Sequence, residues 1–497
     1  MALPGTSLTI LDGGLGVSSP ATSVPHVVGP SESGTADTPT TISNQRQLKE
    51  TFGTHGQGVD MAGYILDHAG GPIVFTKTQT SVAATYDGAT TVAVTGPGGT
   101  DDNIDFTIAT SAPLNDFDVV ITMASAGARG TATFTYSLDG GRTTSPALTT
   151  GADVALGDSG VHAEFQAGST NPYVAGTTYT VAARAAMYNT TDLSAAHTAI
   201  RLSQLDWDFF AYAGQGSTAG AGATLVAAVQ TEMAAYATSI DKYFRAVISG
   251  GEDSAADALT AYSAVTADRV SIAHGEFRTS PVFGVTGRGL PYLPLSYFVA
   301  MRAAGNLMST DLAKTAGAPS VGAMPGVNAA DLTHNEFTQN AGLDNVKVST
   351  SRTYSNLTGP FLTNAWLKSG VGSDFRYWQH GRMMDEACKV VSEQLSLMIA
   401  SEFPVKADGT GQLRESSARD IEQRVQRALD NVIGSNIRGV GPSSIGGTIG
   451  HVSDQAFVVD RTTNFLSTET IVGTLAIVPK GYAKTLQSTI SYKLSTT

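Results

Sequence analysis

A glycine-rich loop between a predicted strand and a predicted helix is the segment whose residue spacing most resembles a known ligand-binding motif. An apolar run over 207–212 is typical of a strand, and Gly214, Gly216 and Gly220 follow it before a helical pattern begins. A strand, a glycine loop and a helix in this order can bind a pyrophosphate at the helix N-terminus. The spacing is GxGxxxG rather than GxGxxG, and no acidic residue closes the next strand, since Glu252 lies beyond its end. We therefore expect a connection without a ligand, and no bound cofactor.

Residues of the kinds that act as nucleophiles or metal ligands are scattered along the chain. None of the nine histidines forms an HxxxH pair, and Cys388 is the single cysteine, so neither a metal site nor an internal disulfide is predicted. His274 with Glu276, and His334 with Glu336, are close pairs on strands or loops, where we expect surface polar groups. Cys388 lies on the apolar stripe of a predicted helix, so we expect it to pack as a small hydrophobic residue. With no phosphate-binding loop and no nucleophile elbow, the sequence predicts no enzyme activity and no catalytic residues.

Composition limits the classes of partner. The chain has 497 residues, of which 41% are hydrophobic and 15% charged, and this length predicts two to four domains. The net charge of −13 argues against direct contact with nucleic acid, which needs clustered basic residues, and no lysine occurs between Lys77 and Lys242. We see no secretion signal and no apolar run of about 20 residues, so we expect no membrane insertion. The single cysteine is typical of folding in a reducing cytoplasm.

Helical periodicity is clearest over 374–433, where two amphipathic helices are predicted on either side of Phe403-Pro404. Ser417 with Asp420 resembles a capping box at the start of the second helix. Both helices need a sheet to cover them, and we expect strands from both ends of the chain to supply it. The apolar stripes consist of Met384, Ala387, Cys388, Val391, Leu395 and Met398, and of Ile421, Val425, Ala428, Leu429 and Val432.

Charged residues of the first helix are predicted to lie away from its apolar stripe. Arg382, with Asp374 and Arg376, is expected either to form ion pairs at a subunit contact or to lie on a solvated face. The residues that fall largely off the stripe are Arg382, Asp385, Lys389 and Glu393.

The rest of the chain divides by pattern. Residues 24–76 are predicted to form a strand, two helices and a strand, and 78–188 contain only short strands with turns between them. Asp139-Gly140 predicts a tight type I′ hairpin turn within that region. Strands and helices alternate over 190–330, which indicates a mainly parallel sheet. Strands return over 455–497.

The order of several phrases resembles the contractile-tail sheath proteins of myovirus-type bacteriophages. Pro39-Thr40-Thr41-Ile42-Ser43, then Phe52-Gly53, then Gly70-Gly71 up to Lys77 match the opening of that family in order and spacing. Arg352-Thr353 resembles a later phrase of the family. The phrases TYSLDGG and YVAGTTYTV are similar to an inserted β-domain of some sheath proteins. The resemblance covers about 24–77 and 190–497.

The resemblance implies a multidomain α/β (α+β) sheath fold with an inserted all-β antiparallel sandwich domain. The regular short strands of 78–188 independently favour such a sandwich. The expected domains are an arm (1–18), a first part of the α/β core (19–77), an inserted sandwich on the outer surface (78–188), a middle α/β domain (189–360), a C-terminal sheath domain (361–485) and a C-terminal arm strand (486–497).

As function, the resemblance implies a structural subunit of the phage tail. Copies polymerise helically around the tail tube in the host cytoplasm, and the sheath contracts in the virion to drive the tube through the host envelope. Its expected partners are other copies, the tail tube protein, and baseplate and tail terminator proteins. A phage sheath subunit is also expected to be a late protein and to act in genome ejection. The alternatives are the sheath of a non-phage contractile injection system, a virion adhesin, and a nucleotide-dependent enzyme that rests only on the 214–220 loop.

The resemblance also implies where subunits touch. Strands near both ends of the chain are expected to be exchanged between neighbouring subunits, and they are Leu8, Thr9, Ile10 and Leu11, and Thr489, Ile490, Ser491, Tyr492, Lys493 and Leu494. Lys480 and Lys484 flank a turn in an acidic chain, and we expect them either to contact the tube or to be ordinary solvated lysines.

Overall fold

The computed structural model of the chain describes most of its length but not its two ends. The described residues are 23–86, 91–92, 104–105, 112–166, 173–203, 205–214, 219–240, 242–251, 254–279, 292–316, 324, 342–370, 372–373, 376–399, 401–433 and 455–477.

A six-stranded sheet lies at the centre of the structure. Four of its strands are buried at every residue, as expected when both faces of a parallel sheet are covered. The strands are β1 (Pro25–Gly29), β2 (Thr40–Ile42), β3 (Ile73–Lys77), β13 (Phe209–Tyr212), β14 (Ala246–Ser249) and β15 (Val270–Ala273). Their order is β15-β14-β13-β1-β3-β2, and only β2 runs antiparallel to its neighbour. The prediction of a mainly parallel sheet is confirmed.

Helices cover both faces of this sheet. Alternate strand residues point to opposite sides, so both faces carry apolar side chains that pack against helices. Val27 and Phe209 pack on one side with the first group of helices, whereas Val28 and Phe210 pack on the other side with the second. The first group is α1 (Gln45–Phe52), α2 (Gln57–His68) and α6 (Leu295–Gly305), and the second is α3 (Thr190–Leu202), α4 (Ala219–Ile240) and α5 (Ala255–Tyr262).

Helix α3 was not predicted, although its start carries a clear signal. Asn189 accepts hydrogen bonds from the backbone amides of Thr191 and Asp192, and the Asp192 carboxylate accepts one from the Asn189 amide. This reciprocal capping box satisfies amides that the helix leaves unpaired. Asp192 also accepts from the backbone and the hydroxyl of Ser81, which ties the helix to the chain leaving β3.

Two antiparallel sheets lie between β3 and α3 in the sequence and share one hydrophobic core. Burial alternates along their longest strands, as it does in a sheet with one face on a core. One sheet has the order β4-β12-β7-β8-β9 and the other β10-β11-β6-β5. The strands are β4 (Thr85–Tyr86), β5 (Thr91–Val92), β6 (Ile104–Asp105), β7 (Phe117–Ser125), β8 (Thr133–Ser137), β9 (Leu148–Thr149), β10 (Val154–Ala155), β11 (His162–Phe165) and β12 (Thr178–Arg184). We call this region the β-insert.

The predicted tight turn at Asp139-Gly140 is wrong. Strands β8 and β9 pair only at Thr133 with Thr149 and at Phe134 with Leu148, so a longer connection joins them. The Asp139 side chain organises this connection instead of a two-residue turn. Its carboxylate accepts from the Ser137 hydroxyl (2.6 Å) and from the amide and hydroxyl of Thr143 (2.8 and 2.7 Å).

The two helices predicted near the end of the chain are α7 (Trp378–Ser396) and α8 (Glu415–Ile433). Because α8 begins at Glu415, Ser417 lies inside the helix, and the predicted cap at Ser417 is wrong. The last elements are β20 (Gln455–Val459), α9 (Phe465–Thr468) and β21 (Gly473–Ile477), and short strands β16 (Glu276–Arg278), β17 (Tyr292–Pro294), β18 (Ser351–Thr353) and β19 (Pro360–Leu362) precede α7.

Helices α7 and α8 pack with the antiparallel pair β20–β21 around a core of their own. Trp378, at the start of α7, belongs instead to the core under the central sheet and meets Phe209 edge-on at 5.5 Å. The cover for these helices therefore comes, among the described residues, from strands near the end of the chain alone. One continuous helix takes part in two hydrophobic cores.

Candidate functional site

The place where an open parallel sheet usually binds a ligand is filled by protein side chains. That place is the crevice beyond the carboxyl ends of β1 and β13, where the direction of winding reverses. Gly214 follows β13 there with φ of +81°, and a Cβ at this position would lie 2.5 Å from the Gln57 amide oxygen. The Gln57 amide nitrogen donates to the Asp116 carboxylate at 2.7 Å. The glycine at 214 thus serves a close approach to Gln57, and residues 215–218 lie outside the described part.

The same contacts join the β-insert to the core. Asp116 also accepts from the Ala185 amide at 2.8 Å, and burial raises the pKa of its carboxyl group. Asn115 donates to Asp60 of α2 at 3.1 Å. A cavity of about 70 Å³ remains between these groups.

The described residues offer no candidate metal site and no candidate membrane-spanning helix. No group of three or more His, Cys, Asp or Glu side chains is placed there to hold a metal ion. Among the same residues, no helix combines the length and apolarity needed to cross a bilayer. His274 is fully buried and its Nδ1 lies 3.0 Å from the Gly250 carbonyl, so the prediction of a surface position for it is wrong. Cys388 is only partly buried, and that burial raises the pKa of its thiol.

A buried polar site lies at the junction between α7 and the amino ends of the central strands. Asp385 of α7 accepts from Arg245, which leads into β14, and from Arg269 (2.7 Å), which leads into β15. The Arg245 side chain is 1% exposed and the Asp385 side chain 7%. Gly381 makes this crossing possible, because a Cβ there would overlap the Arg245 guanidinium. Asp385 was predicted only to lie off the apolar stripe, and its burial comes from partners on distant strands.

Arg382 extends the junction to the first described residues. Its guanidinium donates to the Ser23 hydroxyl at 2.8 Å and lies 3.9 Å from the Asp208 carboxylate. Asp208 also accepts from the Val24 amide at 2.6 Å. Arg382 is 4% exposed, so both alternatives proposed for it, a subunit contact and a solvated face, are wrong. Its ion-pair partner lies within the same chain; Asp374 lies outside the described residues.

An open cleft of about 200 Å³ adjoins the junction. Lys389 of α7 donates to Asp206 at 2.7 Å, and Lys242 lies 3.6 Å from the same carboxylate. Burial raises the pKa of Glu386, which also lines the cleft. The rim is apolar, because Ile240 and Tyr243 line the cleft while remaining 44% and 42% exposed. We call this the α7 cleft.

Residues near both ends of the chain are predicted to connect subunits or to contact the tube. Leu8, Thr9, Ile10 and Leu11, the strand residues Thr489, Ile490, Ser491, Tyr492, Lys493 and Leu494, and the lysines Lys480 and Lys484 all lie outside the described residues.

Solved structures with a similar fold span the whole chain. A chain of the cryo-EM structure of the anti-feeding prophage baseplate has a TM-score of 0.54 at 11% identity, covering 99% of this chain and 100% of that one. The anti-feeding prophage helical sheath in the contracted state has a TM-score of 0.51 at 11% identity, covering 99% of both chains. The sheath complex of the extracellular contractile injection system PVC, also contracted, has a TM-score of 0.51 at 11% identity, covering 99% and 98%.

The fold is that of contractile sheath proteins. No protein-family model and no curated protein matches the sequence. The likeness is one of architecture at low identity, and a shared fold does not by itself give a shared function.

Proposed function

We propose that this chain is the structural subunit of a contractile sheath. Copies polymerise helically around an inner tube, and the sheath shortens to drive the tube through a target envelope. The observation that carries this proposal is the likeness, over 99% of both chains, to a sheath protein in a contracted helical assembly.

Two kinds of particle are candidates for the one that contains this sheath. We propose a phage tail, because the ordered phrases at 39–43, 52–53 and 70–77 resemble myovirus sheaths. On this reading the protein is a late virion component that acts in genome ejection, and the baseplate and tail terminator close the two ends of the sheath. An extracellular injection system is the second candidate, favoured by the likeness to the anti-feeding prophage and PVC structures.

Subunit linkage is proposed to occur at the β20–β21 pair. Phe457 and Val459 face the core of this region while Val458 between them is 52% exposed. Within the described residues no third strand pairs with either outer edge, and Glu422 accepts from the Val459 amide at 2.9 Å. Strand edges of this kind accept added strands. We propose that the arm residues 8–11 and 489–494 of neighbouring copies add there.

The remaining surfaces are assigned by the same proposal. The β-insert lies on the outside of the sheath, since the contacts with the core that the described residues show are mainly polar ones around Asp116 and Asp192, together with Arg142, whose guanidinium lies 3.8 Å from the Tyr292 ring centroid. Lys480 and Lys484 contact an acidic tube surface and steer docking.

Sedimentation velocity of the purified full chain tests the proposal. We expect a broad distribution of very large polymers that grows with protein concentration. A single monomeric species at every concentration, with a folded far-UV spectrum, would argue against a sheath subunit.

A further inference from the structure

The α7 cleft lies where the chain before Ser23 enters the structure. Ser23 is held by Arg382 at 2.8 Å and the next residue, Val24, by Asp208 at 2.6 Å. Both of these partners line the cleft. The preceding 22 residues therefore start at one end of an open groove.

The groove and the segment agree in length. From Arg382 to Glu393 the cleft follows eleven residues of α7, which is about 16 Å along a helix axis. An extended chain covers about 3.3 Å per residue, so roughly five residues span the same distance. The five residues before Ser23 are 18–22. Pro20 favours an extended conformation for the residue that precedes it.

The polar and apolar groups of the α7 cleft are also compatible with those of the segment before Ser23. The cleft lining contains more carboxylates than bases: Asp206, Asp208, Asp385, Glu386 and Glu393 against Lys242, Arg382 and Lys389. Residues 15–22 (LGVSSPAT) carry no charged side chain, and their amides and hydroxyls can donate to carboxylates. Leu15 and Val17 supply the apolar surface that the exposed rim, Ile240 and Tyr243, lacks.

We propose that the α7 cleft is the docking site of residues 17–22 of the same chain. The segment runs extended along α7 from Ser23 towards Glu393, and Val17 covers the rim. Docking fixes the direction in which residues 8–11 leave the subunit, a consequence that rests on the proposed strand exchange. The occupancy of the cleft is independent of that function and can be tested on the unpolymerised chain.

Disulfide trapping in the full-length chain tests the proposal. The variant combines Ser18→Cys on the segment with Ser392→Cys on the cleft wall, in a Cys388→Ala background that removes the native thiol. A disulfide requires Cα atoms within about 7 Å, so only close docking permits it. Oxidised glutathione accepts the two electrons released when the two thiols join and lose their protons. The control pairs Ser18→Cys with Thr260→Cys, because Thr260 is exposed on α5 and does not line the cleft.

We expect the 18–392 pair to form an intramolecular disulfide at least tenfold faster than the control pair at low protein concentration. Equal rates for the two pairs would overturn the proposal. A disulfide-linked dimer would also overturn it, because the occupant would then be a second copy. Should Ser392→Cys impair folding, Ser18→Cys with Glu393→Cys tests the adjacent position, and its failure to close overturns the proposal in the same way.

Discussion

Gly381 is the residue on which the fit between α7 and the central sheet depends. Glycine in a helix interior normally costs about 1 kcal/mol relative to alanine, so Gly381→Ala would stabilise an isolated helix. In this structure the added methyl group would overlap Arg245, which pairs with Asp385 in a buried position. Moving that arginine leaves a buried charge without its partner.

We predict that Gly381→Ala lowers the free energy of unfolding by about 2–4 kcal/mol, because overlap and a disturbed ion pair outweigh the gain in helix propensity. Urea unfolding of the variant and the parent measures this change. Gly370→Ala is the matched control, since a Cβ at Gly370 meets nothing within 4 Å. Equal destabilisation by both substitutions would contradict the role assigned to Gly381.

We expect His197 to make the stability of the fold depend on pH. The ring is fully buried between Tyr212 (2.8 Å) and Tyr236 (3.1 Å). Burial, with Arg201 nearby, lowers its pKa to about 3, and burial also lowers the pKa of His26 well below its usual value. Unfolded histidines bind protons below about pH 6.5, whereas these two in the folded state do not. The unfolded chain therefore binds more protons, and the free energy of unfolding falls as the pH drops from about 6.5 towards 3.

We predict that His197→Gln weakens this pH dependence, because glutamine keeps hydrogen-bonding groups but does not titrate. Thermal unfolding midpoints at pH 7, 5 and 4 check the prediction. His162→Gln on the β-insert, where the side chain is 31% exposed, is the control. Identical pH profiles for the parent and His197→Gln would contradict it.

The β-insert is joined to the rest of the fold at two adjacent ends. Its two ends are already adjacent, since the Val82 and Met187 amides and carbonyls bond reciprocally at 2.9 Å. Its hydrophobic core is separate from those of the central sheet. We predict that replacing residues 83–186 with a short Gly/Ser linker leaves polymer formation intact, which sedimentation and electron microscopy can show. A folded remainder that no longer polymerises would place the insert at a subunit contact.

Deletion of either terminal arm is expected to prevent polymer formation, unlike deletion of the β-insert. Each offers about four to six ladder hydrogen bonds, worth roughly 1 kcal/mol apiece, and these repeat along the polymer. We predict that deleting residues 1–16 or 487–497 gives a folded monomer that does not polymerise, measured by sedimentation velocity. The insert deletion is the matched control, because it removes far more chain. Large polymers from either arm deletion would refute strand exchange.

Sequence periodicity predicted most elements because their apolar spacing is local. Strands such as β1 and helices such as α8 were located to within a few residues. Burial of Arg382 and Asp385 was missed, since their partners Ser23, Arg245 and Arg269 are far away in sequence and no local pattern reveals them. The filled crevice was likewise invisible, because Asp116 reaches it from the β-insert.

At the scale of the whole molecule, two hydrophobic cores are joined by one helix. The first turn of α7 packs under the central sheet and its later turns pack with α8 and β20–β21. The ion pairs of Asp385 hold the helix to the sheet at the point where it passes between the cores. On the proposed function, this continuity would carry a movement at the β20–β21 edge to the central sheet.

Helical reconstruction from electron micrographs of the assembled full-length chain is the most direct test of a contractile sheath. We predict hollow tubes whose lumen can hold an inner tube, with the β-insert on the outside and a third and fourth strand from neighbouring copies beside β20–β21. Particles that never form tubes, or solid filaments in which β20–β21 stays two-stranded, would contradict it.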